Sequence, residues 1–509
     1  MFSKVTSFGV RGLNGFAVTA EADISGGLPQ LSIVGLPDSA VKEAADRVRS
    51  AIKNLGFSWP ASRITVNLAP ADVKKTGPLY DLPVFLAILC SSGQLAPLKP
   101  NQAFIGELSL DGTLRPVHGI LPMALAAAEQ GITELFVPEA NAIEAASVGT
   151  VCVYGATSAH QVTEHLKGNA SLTPAVAPPF SAQPQTAGLD FFDVKGQLAA
   201  RRAMEIAAAG NHNILLIGPP GTGKSMLAKR MPGILPPLTR QEAIDCTKIY
   251  SVAGLLPGGS GLLQHRPFRS PHHSVSATAL SGGGAQVRPG EVSLAHNGVL
   301  FLDELPEFHR DALEVLRQPL EDGCVTVSRV SGSTTYPSQF LLLAAMNPCK
   351  CGYFGHPTRA CTCTPSAVDR YRQRISGPLL DRIDLHVEVS PVLYQELDSD
   401  IAGESSEAIL RRVMAARTIQ QNRYETTGVL CNAHLPSHAL RQVCRLDAKA
   451  SAMLRSAFDR LGLSARAYDR ILKVSRTIAD LAGSDTITAV HLAEALQYRT
   501  LDRKYWYDK

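Results

Sequence analysis

The sequence lacks long apolar runs, and its cysteines are few for its length. No stretch approaches the roughly 18–20 apolar residues of a membrane span. The start, MFSKVTSFGV, lacks the basic and apolar segments of a secretory signal. Ten cysteines among 509 residues are too few for a disulfide scaffold, and a net charge of +4 neither requires nor excludes a polyanionic partner. These absences predict a soluble cytoplasmic protein without membrane contact.

Length and pattern predict an α/β protein in three parts, at roughly 150 residues per domain. Strand and helix patterns alternate over residues 1–168, and residues 169–188 are predicted to form an uncharged, proline-rich linker. Residues 189–400 contain apolar runs typical of a buried parallel sheet. Residues 401–509 have almost only helical patterns, which predict a small helical domain.

The spacing of apolar residues also predicts individual elements. In the first part we expect strands at residues 31–34 and 64–68 and an amphipathic helix at 39–55. Phe104 is predicted to begin a strand that leads to a turn at residues 111–112. The strands predicted in the second part are residues 214–217, 299–302 and 340–346.

Residues 218–225, GPPGTGKS, match the nucleotide-binding P-loop pattern in full, between an apolar strand and a helical stretch. In such a loop, backbone N–H groups and the helix N-terminus surround the phosphates. Lys224 is expected to reach the β- and γ-phosphates of ATP, and Ser225 to bind Mg²⁺. The predicted nucleotide-binding residues are Gly218, Pro219, Pro220, Gly221, Thr222, Gly223, Lys224, Ser225 and Asp303.

Polar side chains end the next two apolar strands. Asp303 and Glu304 follow residues 299–302, where one carboxylate can hold Mg²⁺ and Glu304 can polarise the attacking water. Asn347 ends the following strand, where an amide can orient that water or contact the γ-phosphate. The alternatives are a surface acidic pair and an ordinary Asn-Pro turn. Catalytic roles are favoured because Asp303, Glu304 and Asn347 all end apolar strands that follow a P-loop.

Two arginines can neutralise the charge that develops on phosphate during hydrolysis. Arg382, in GPLLDR, could reach the nucleotide of a neighbouring subunit. Arg466, which opens a helical stretch, could reach the nucleotide of its own chain. Because arginine is common on protein surfaces, the residues alone leave a purely structural role open for both.

These motifs, with GLPQLSIVGLPDSAVKEAADRVRSAI, DVKGQ, PFRSPHHS and ARAYDRILKVSRTIADL, resemble the ComM/YifB family of magnesium-chelatase-like AAA+ ATPases. The resemblance covers nearly the whole chain except the linker. It implies a Lon-protease-like N-terminal domain, an AAA+ core and a helical lid. It also implies a hexameric ring and ATP-driven DNA branch migration during natural transformation, with Arg382 as the arginine finger and Arg466 as sensor 2.

The first part departs from Lon-type proteases at the positions of their catalytic pair. The turn that would carry the nucleophilic serine reads Gly77-Pro78-Leu79-Tyr80-Asp81, and the segment that would carry the lysine, residues 118–122, reads HGILP. Acyl transfer by this route needs an activated nucleophile. We therefore expect residues 1–168 to be a non-proteolytic binding or assembly domain.

Two segments are predicted to contact single-stranded and branched DNA. Residues 246–290 contain no Asp or Glu, which suits contact with a phosphate backbone. Residues 325–340 read as a hairpin with an arginine near its tip. An ordinary solvated loop and a structural hairpin are the alternatives. The predicted DNA contacts are Arg266, Arg269, Arg288 and Arg329.

Four cysteines in two close pairs suit tetrahedral Zn²⁺ in a reducing compartment: Cys349, Cys351, Cys361 and Cys363. The one-residue gap within each pair departs from the common two-residue gap, so four reduced structural cysteines are the alternative. His356 lies between the pairs and could replace one thiol.

The sequence therefore favours an ATPase that moves DNA, a helicase for branch migration that uses ATP and Mg²⁺. The first alternative is the ATPase subunit of a metal-chelatase-type complex, which would act on a partner subunit and would not need the first domain. An ATP-dependent protease is disfavoured by the missing serine and lysine, and a binding scaffold by the complete hydrolytic set. Stimulation of ATP turnover by DNA would separate the first two.

Overall fold

The structure is a computed structural model in which the described contacts group the chain into two compact units. The first unit contains Met1–Ser181 and Arg240–Gln264, and the second contains Ala182–Thr239 and His265–Lys509. No described helix is long and apolar enough to cross a membrane. The residues described are 1–182, 188–284, 287–329, 332–356, 358–392, 403–502 and 505–506.

Strands and helices alternate through most of the chain, and helices predominate after residue 403. The described strands are β1 (Phe2–Arg11), β2 (Asn14–Ser25), β3 (Gln30–Val34), β4 (Arg63–Ala69), β5 (Gln102–Phe104), β6 (Glu107–Leu108), β7 (Leu114–Arg115), β8 (Glu134–Pro138), β9 (Cys152–Ala156), β10 (Ile214–Ile217), β11 (Phe268–Arg269), β12 (Gly282–Gly283), β13 (Arg288–Pro289), β14 (Val299–Leu302), β15 (Cys324–Arg329), β16 (Gly332–Pro337), β17 (Leu341–Met346) and β18 (Leu385–Glu388). The described α-helices are α1 (Ser39–Lys42), α2 (Ala44–Asn54), α3 (Asp81–Ser91), α4 (Ile120–Glu129), α5 (Ala142–Ala146), α6 (Ala159–Lys167), α7 (Leu198–Gly210), α8 (Lys224–Arg230), α9 (Arg240–Ala253), α10 (Ala277–Ser281), α11 (Glu291–Leu294), α12 (Arg310–Glu314), α13 (Arg317–Asp322), α14 (Pro365–Arg372), α15 (Gly377–Leu380), α16 (Ser406–Tyr424), α17 (Ser437–Val443), α18 (Ala448–Leu461), α19 (Ala465–Leu481) and α20 (Ala489–Asp502).

A mixed sheet forms the centre of the first unit, in the order β3-β4-β2-β1-β5-β8-β9. The pairs β1–β2 and β2–β4 are antiparallel, and the other pairs are parallel. Side chains alternate across the sheet: Phe136 of β8 packs in one apolar layer with residues of α3, and its neighbours Leu135 and Val137 pack in the other with residues of α4. Buried layers on both faces make this an α/β domain, as predicted.

The predicted elements of the first unit are present with two differences. The helix expected at residues 39–55 is interrupted at Glu43, between α1 and α2. Phe104 ends β5 and does not begin a strand, so this prediction was wrong. The chain turns away at Gly106, whose N–H donates to the carbonyl of Leu79 at 2.9 Å. The expected turn at residues 111–112 does join an antiparallel pair, β6 and β7.

The second unit is built on a sheet in the order β11-β14-β17-β10-β18, with every described pair parallel. Every residue of β10, β14 and β17 is buried, which confirms the buried parallel sheet predicted from the apolar runs. Because the carboxyl ends of parallel strands meet at one edge, the segments that follow these strands come together there. The expected hairpin is also present, with Arg329 opposite Gly332.

The C-terminal helices share one continuous apolar cluster with this sheet. Ile478 of α19 and Ile409 of α16 belong to the same cluster as Ala207 of α7 and Leu216 of β10. The predicted boundary at residues 400 and 401 lies outside the described residues, as do residues 183–187 of the predicted linker.

Residues 240–264 belong to the first unit, although the sequence pattern placed them within the 189–400 part. Arg240 at the start of α9 donates to the carbonyls of Ser147 at 3.1 Å and Val148 at 3.2 Å. Further along α9, the Ser251 hydroxyl donates to the buried carboxylate of Glu144 at 2.5 Å. These polar contacts join residues about a hundred positions apart, so no local pattern indicates them.

Candidate functional site

The P-loop connects the buried strand β10 to helix α8. Gly221 and Gly223 have φ angles of +79° and +86°, a left-handed conformation that glycine adopts without steric cost. A Cβ on Gly218 would lie 2.3 Å from the carbonyl oxygen of Val389, just after β18. The loop is therefore held against the sheet where its amides and the first turn of α8 can surround a phosphate.

Lys224, the basic residue of this loop, is buried, with 8% of its surface exposed. Its Nζ donates to the carbonyl oxygens of Gly218 at 2.7 Å and Pro219 at 2.8 Å, and to Oδ1 of Asn347 at 3.1 Å. Burial lowers the pKa of Lys224 to about 8, although the Asp303 carboxylate opposes this shift. The structure thus brings together the lysine predicted to bind phosphate and Asn347, the asparagine predicted to orient water or contact the γ-phosphate.

Ser225 and Asp303, the two residues predicted to bind Mg²⁺, are hydrogen-bonded to each other. The Ser225 hydroxyl donates to Oδ2 of Asp303 at 2.6 Å, and oxygen donors of this kind are the ligands that Mg²⁺ prefers. Glu304 follows with a left-handed φ of +52° and with 55% of its side chain exposed. Its N–H donates to the other oxygen of Asp303 at 2.9 Å, so the two adjacent carboxylates have different environments.

His273 is a residue of this site that the sequence analysis did not single out. Its Nδ1 lies 3.7 Å from Oε2 of Glu304. The short strand β11 pairs in parallel with β14, so the segment after each strand reaches the same edge of the sheet. The adjacent His272 and His273 shortly after β11 are the available signal, but they lie in residues 246–290, which the sequence analysis associates only with DNA contact.

Asn347 leads directly into the segment that carries the four cysteines, residues 348–364, here called the cysteine loop. The Sγ atom of Cys349 lies 3.3 Å from that of Cys351 and 3.7 Å from that of Cys361, and the last two are 3.5 Å apart. The Sγ atoms of all four cysteines lie within 4.8 Å of one another. Tetrahedral zinc with Zn–S bonds of about 2.3 Å places sulfur atoms about 3.8 Å apart. The donor set therefore fits Zn²⁺ in composition and in spacing.

Two further features of the cysteine loop bear on a metal. Although burial opposes the shift, hydrogen bonds from backbone N–H groups, first that of Tyr353, lower the pKa of Cys351 to about 5, which favours a thiolate at this one position. Burial and the hydrogen bond to Cys351 raise the pKa of each of the other three thiols, those of Cys349, Cys361 and Cys363. Nδ1 of His356 accepts from the N–H groups of Thr358 at 3.2 Å and Arg359 at 3.1 Å, and His356 does not belong to the group of four cysteines whose sulfur atoms lie within 4.8 Å of one another. The four cysteines are therefore the better ligand set.

Arg382 and Arg466 lie together around Glu321. Arg382 donates to the carboxylate of Glu321 and to the carbonyl of Pro378 at 2.7 Å. The hydrogen bond from Arg382 and the charge of Arg466 lower the pKa of Glu321. Both arginines line one cleft, and none of the described residues that line it belongs to the P-loop. Arg466 thus lies beside the predicted finger in a cleft without described P-loop residues, whereas the sequence analysis expected it to reach the nucleotide of its own chain.

The predicted DNA contacts have different surroundings. Arg266 donates to the carbonyls of Pro236 at 2.5 Å and Asn297 at 2.7 Å, and Arg269 forms a two-pronged pair with Glu291 at 2.7 Å. Arg288 is exposed, and the side chain of Arg329 lies outside the described part of the structure. The guanidinium groups of Arg266 and Arg269 therefore already have structural contacts.

Comparison with known proteins gives a consistent set of matches. The model described as magnesium chelatase, subunit ChlI, matches residues 190–397, that of subunit ChlI of Mg-chelatase matches 20–141, and the ChlI C-terminal model matches 403–499. The chain is 46% identical to the YifB protein of Escherichia coli (strain K12), over 97% of this chain and 96% of YifB. It is 46% identical to the competence protein ComM of Haemophilus influenzae, over 96% and 95%. A Lon protease of Salinispora arenicola is 30% identical over 27% of this chain and 18% of its own length.

Proposed function

Because the chain belongs to the ComM/YifB family of magnesium-chelatase-like AAA+ ATPases, we propose that it is a DNA motor that drives branch migration in recombination and natural transformation. ATP hydrolysis is supported mainly by one observation: Lys224, Asp303 and Asn347 lie close together at the same edge of the parallel sheet. Action on DNA is supported by the presence of the competence protein ComM among the relatives of this chain.

The ATPase chemistry follows from the roles that the geometry allows. Lys224 and the P-loop amides would bind the phosphates of ATP, and Ser225 and Asp303 would hold the accompanying Mg²⁺. Glu304, exposed beside them, would accept a proton from the attacking water, and Asn347 would orient that water. Charge that develops on the γ-phosphate is then stabilised by groups that are already in position.

Assembly into a ring, which we expect to be hexameric, would complete this site. Arg382 and Arg466 share a cleft that contains no described P-loop residue. A neighbouring subunit's nucleotide placed against this cleft would receive both guanidinium groups. Glu321 would release Arg382 as the phosphate arrives, because a guanidinium binds either anion through the same donors.

DNA contact is proposed through arginines of the second unit. Arg288 is exposed near the hairpin β15–β16, since the Tyr336 hydroxyl donates to the carbonyl of its neighbour Val287 at 2.9 Å. Arg288 and Arg329 are the first contacts to test, because Arg288 lies near this hairpin and Arg329 belongs to it, and Arg266 and Arg269 are the second. Contacts of this kind bind phosphates without reading the base sequence, as translocation requires.

Zn²⁺ is proposed as a structural ion of the cysteine loop. Its four thiol ligands would close a tetrahedral site in which no position is left for catalysis. Arg372, 6% exposed, stacks on Phe354 of this loop at 4.4 Å and adds a buried positive charge. A cation beside four thiolates offsets the net negative charge of a zinc–tetrathiolate group.

A metal-chelatase-type ATPase is the second candidate function, because magnesium chelatase models match most of the chain. An ATP-dependent protease has less support. Leu79 occupies the short helix Pro78–Tyr80 where Lon-type enzymes carry serine, and the adjacent Asp81 is buried and paired with Arg47 at 2.7 Å. Leu79 has no nucleophilic atom, and the Asp81 carboxylate is engaged by the Arg47 guanidinium, so the serine–lysine chemistry of Lon-type enzymes has no counterpart at these two positions.

The decisive experiment measures ATP turnover with and without forked DNA, and ATP-dependent movement of a mobile four-way junction. We expect turnover to rise with forked DNA and the junction to be resolved. Replacing Arg288 and Arg329 by glutamine should weaken binding equally across DNA sequences and reduce its salt dependence. An ATP hydrolysis rate that is the same with and without DNA, together with no movement of the junction, would favour the chelatase-type function.

A further inference from the structure

The cysteine loop is in direct contact with the P-loop. A Cβ on Gly352 would lie 2.5 Å from Cδ and 3.1 Å from Cγ of Pro220, so the two residues pack together with no room for a side chain. Gly352 is buried, and its φ of +86° lies in the left-handed region. The loop with four thiols therefore rests against the loop that receives the phosphates.

The position of Gly352 is fixed by the sulfur cluster. Gly352 directly follows Cys351, and its N–H donates to the carbonyl of Cys349 at 3.0 Å. Cys349 is fully buried and lies two residues after Asn347, whose amide oxygen accepts from Lys224. Any change in the spacing of the four sulfur atoms would therefore displace both the Pro220 contact and the Asn347 side chain.

The loop is also anchored from its C-terminal side. Nε of Arg372 donates to the carbonyl of Pro348 at 3.2 Å, and its guanidinium covers the ring of Phe354. Gly352 lies between these two anchoring points. Movement of Gly352 by itself is thus restricted, and the P-loop contact depends on the conformation of the whole cysteine loop.

We propose that the metal site of the cysteine loop and the nucleotide site are energetically coupled, and that Gly352 is the positioning residue that transmits the coupling to Pro220. The inference rests on the proposed ATPase function and on metal binding by the four cysteines. A closed metal site keeps the P-loop amides aimed at the phosphates. Because such coupling is reciprocal, bound nucleotide must raise the affinity of the four cysteines for the metal by the same factor.

Two glycines of the same loop provide a matched pair of variants. Gly355 also has a positive φ, +76°, but a Cβ there would meet nothing within 4 Å. Gly352→Ala and Gly355→Ala therefore introduce similar backbone strain, and only the first pushes on Pro220. In the full-length protein, we expect Gly352→Ala to weaken binding of a fluorescent ATP analogue about tenfold with zinc content unchanged. Gly355→Ala should stay within about twofold of the wild type.

A second measurement tests the coupling in the wild-type protein alone and is then extended to the two variants. Release of zinc to a coloured chelator is followed with and without a non-hydrolysable ATP analogue. We expect the analogue to slow release in the wild type and in Gly355→Ala, but not in Gly352→Ala. Equal nucleotide affinity in both variants, or release that ignores nucleotide, would overturn the coupling.

These outcomes are separate from a failure of the proposed function. A protein that binds nucleotide and zinc in a coupled way but does not move DNA would contradict the motor and leave the coupling intact. A wild-type protein purified without zinc would overturn the metal half of the inference, whatever its ATPase activity.

Discussion

At the scale of a single side chain, we expect Lys224 to make nucleotide binding depend on pH. In the free protein burial lowers its pKa to about 8, whereas bound phosphates favour the charged ammonium and raise it. Above pH 8 binding must therefore take up a proton, and affinity should fall as pH rises, by up to about tenfold per pH unit. Below that pH the lysine is already charged and affinity should be flat.

Titration with a fluorescent ATP analogue between about pH 7 and 9.5 tests this expectation. Lys224→Arg is the matched control, because a guanidinium stays charged over this range and should remove the pH dependence in whatever binding remains. An affinity that is constant to about pH 9.5 in the wild type would show that the free lysine keeps its ordinary pKa.

His273 and Glu304 give a second prediction at this scale. The imidazole, 3.7 Å from the carboxylate, can orient Glu304 toward water. We expect His273→Ala to lower kcat about tenfold with little change in nucleotide affinity. Glu304→Gln should bind nucleotide and fail to hydrolyse it, and adding His273→Ala to it should cost little more, because the two residues act as a unit.

The neighbouring His272 is the control for this pair. Its Nδ1 bonds the Ser274 hydroxyl at 2.8 Å and has no part in the proposed chemistry. His272→Ala should therefore keep a nearly normal kcat in a steady-state ATPase assay. If both histidine variants slow hydrolysis equally, His273 acts only through the local fold.

At the scale of an element, the cysteine loop predicts bound metal. Four sulfur atoms within 4.8 Å of one another are closer than separate thiol side chains require, and tetrahedral zinc explains the spacing. Protein purified without added metal should contain nearly one zinc per chain. The double change Cys361→Ser and Cys363→Ser should lose it, because two remaining thiolates cannot close the site.

Elemental analysis of the purified protein measures this directly. Cys152→Ser, which alters a thiol of the first unit, is the control and should retain zinc. Folded, active wild-type protein without metal would assign the four cysteines a purely structural role in the reduced state.

At the scale of the whole molecule, hydrolysis should depend on assembly. Arg382 lies with Arg466 in a cleft without described P-loop residues, so we expect it to serve a neighbour's site. Arg382→Ala and Lys224→Ala should each be inactive alone. Mixing them should restore part of the turnover, because some interfaces then combine an intact P-loop with an intact finger.

The mixing experiment needs a control for general effects of arginine removal. Arg374, paired with Glu307 at 2.8 Å, is suitable because it is outside that cleft. Arg374→Ala should hydrolyse ATP by itself. Normal turnover by Arg382→Ala alone would remove the finger assignment.

The sequence by itself determined the features that short contiguous segments encode. Glycine spacing specified the P-loop, and apolar runs specified β10, β14 and β17, because a fully buried strand must be apolar along its length. The topology of parallel strands then placed Asp303 and Asn347 beside Lys224. The close cysteine pairs likewise indicated the four-sulfur group before any coordinates.

Only the tertiary structure decided which residues far apart in the chain touch one another. It placed α9 in the first unit through Glu144 and Ser251. It also paired Arg269 with Glu291, the residue that directly follows the segment 246–290 without Asp or Glu. It also set Gly352 against Pro220. The physical reason is that periodicity records which face of an element is buried, whereas the partner on that face is fixed by packing among segments that the sequence separates.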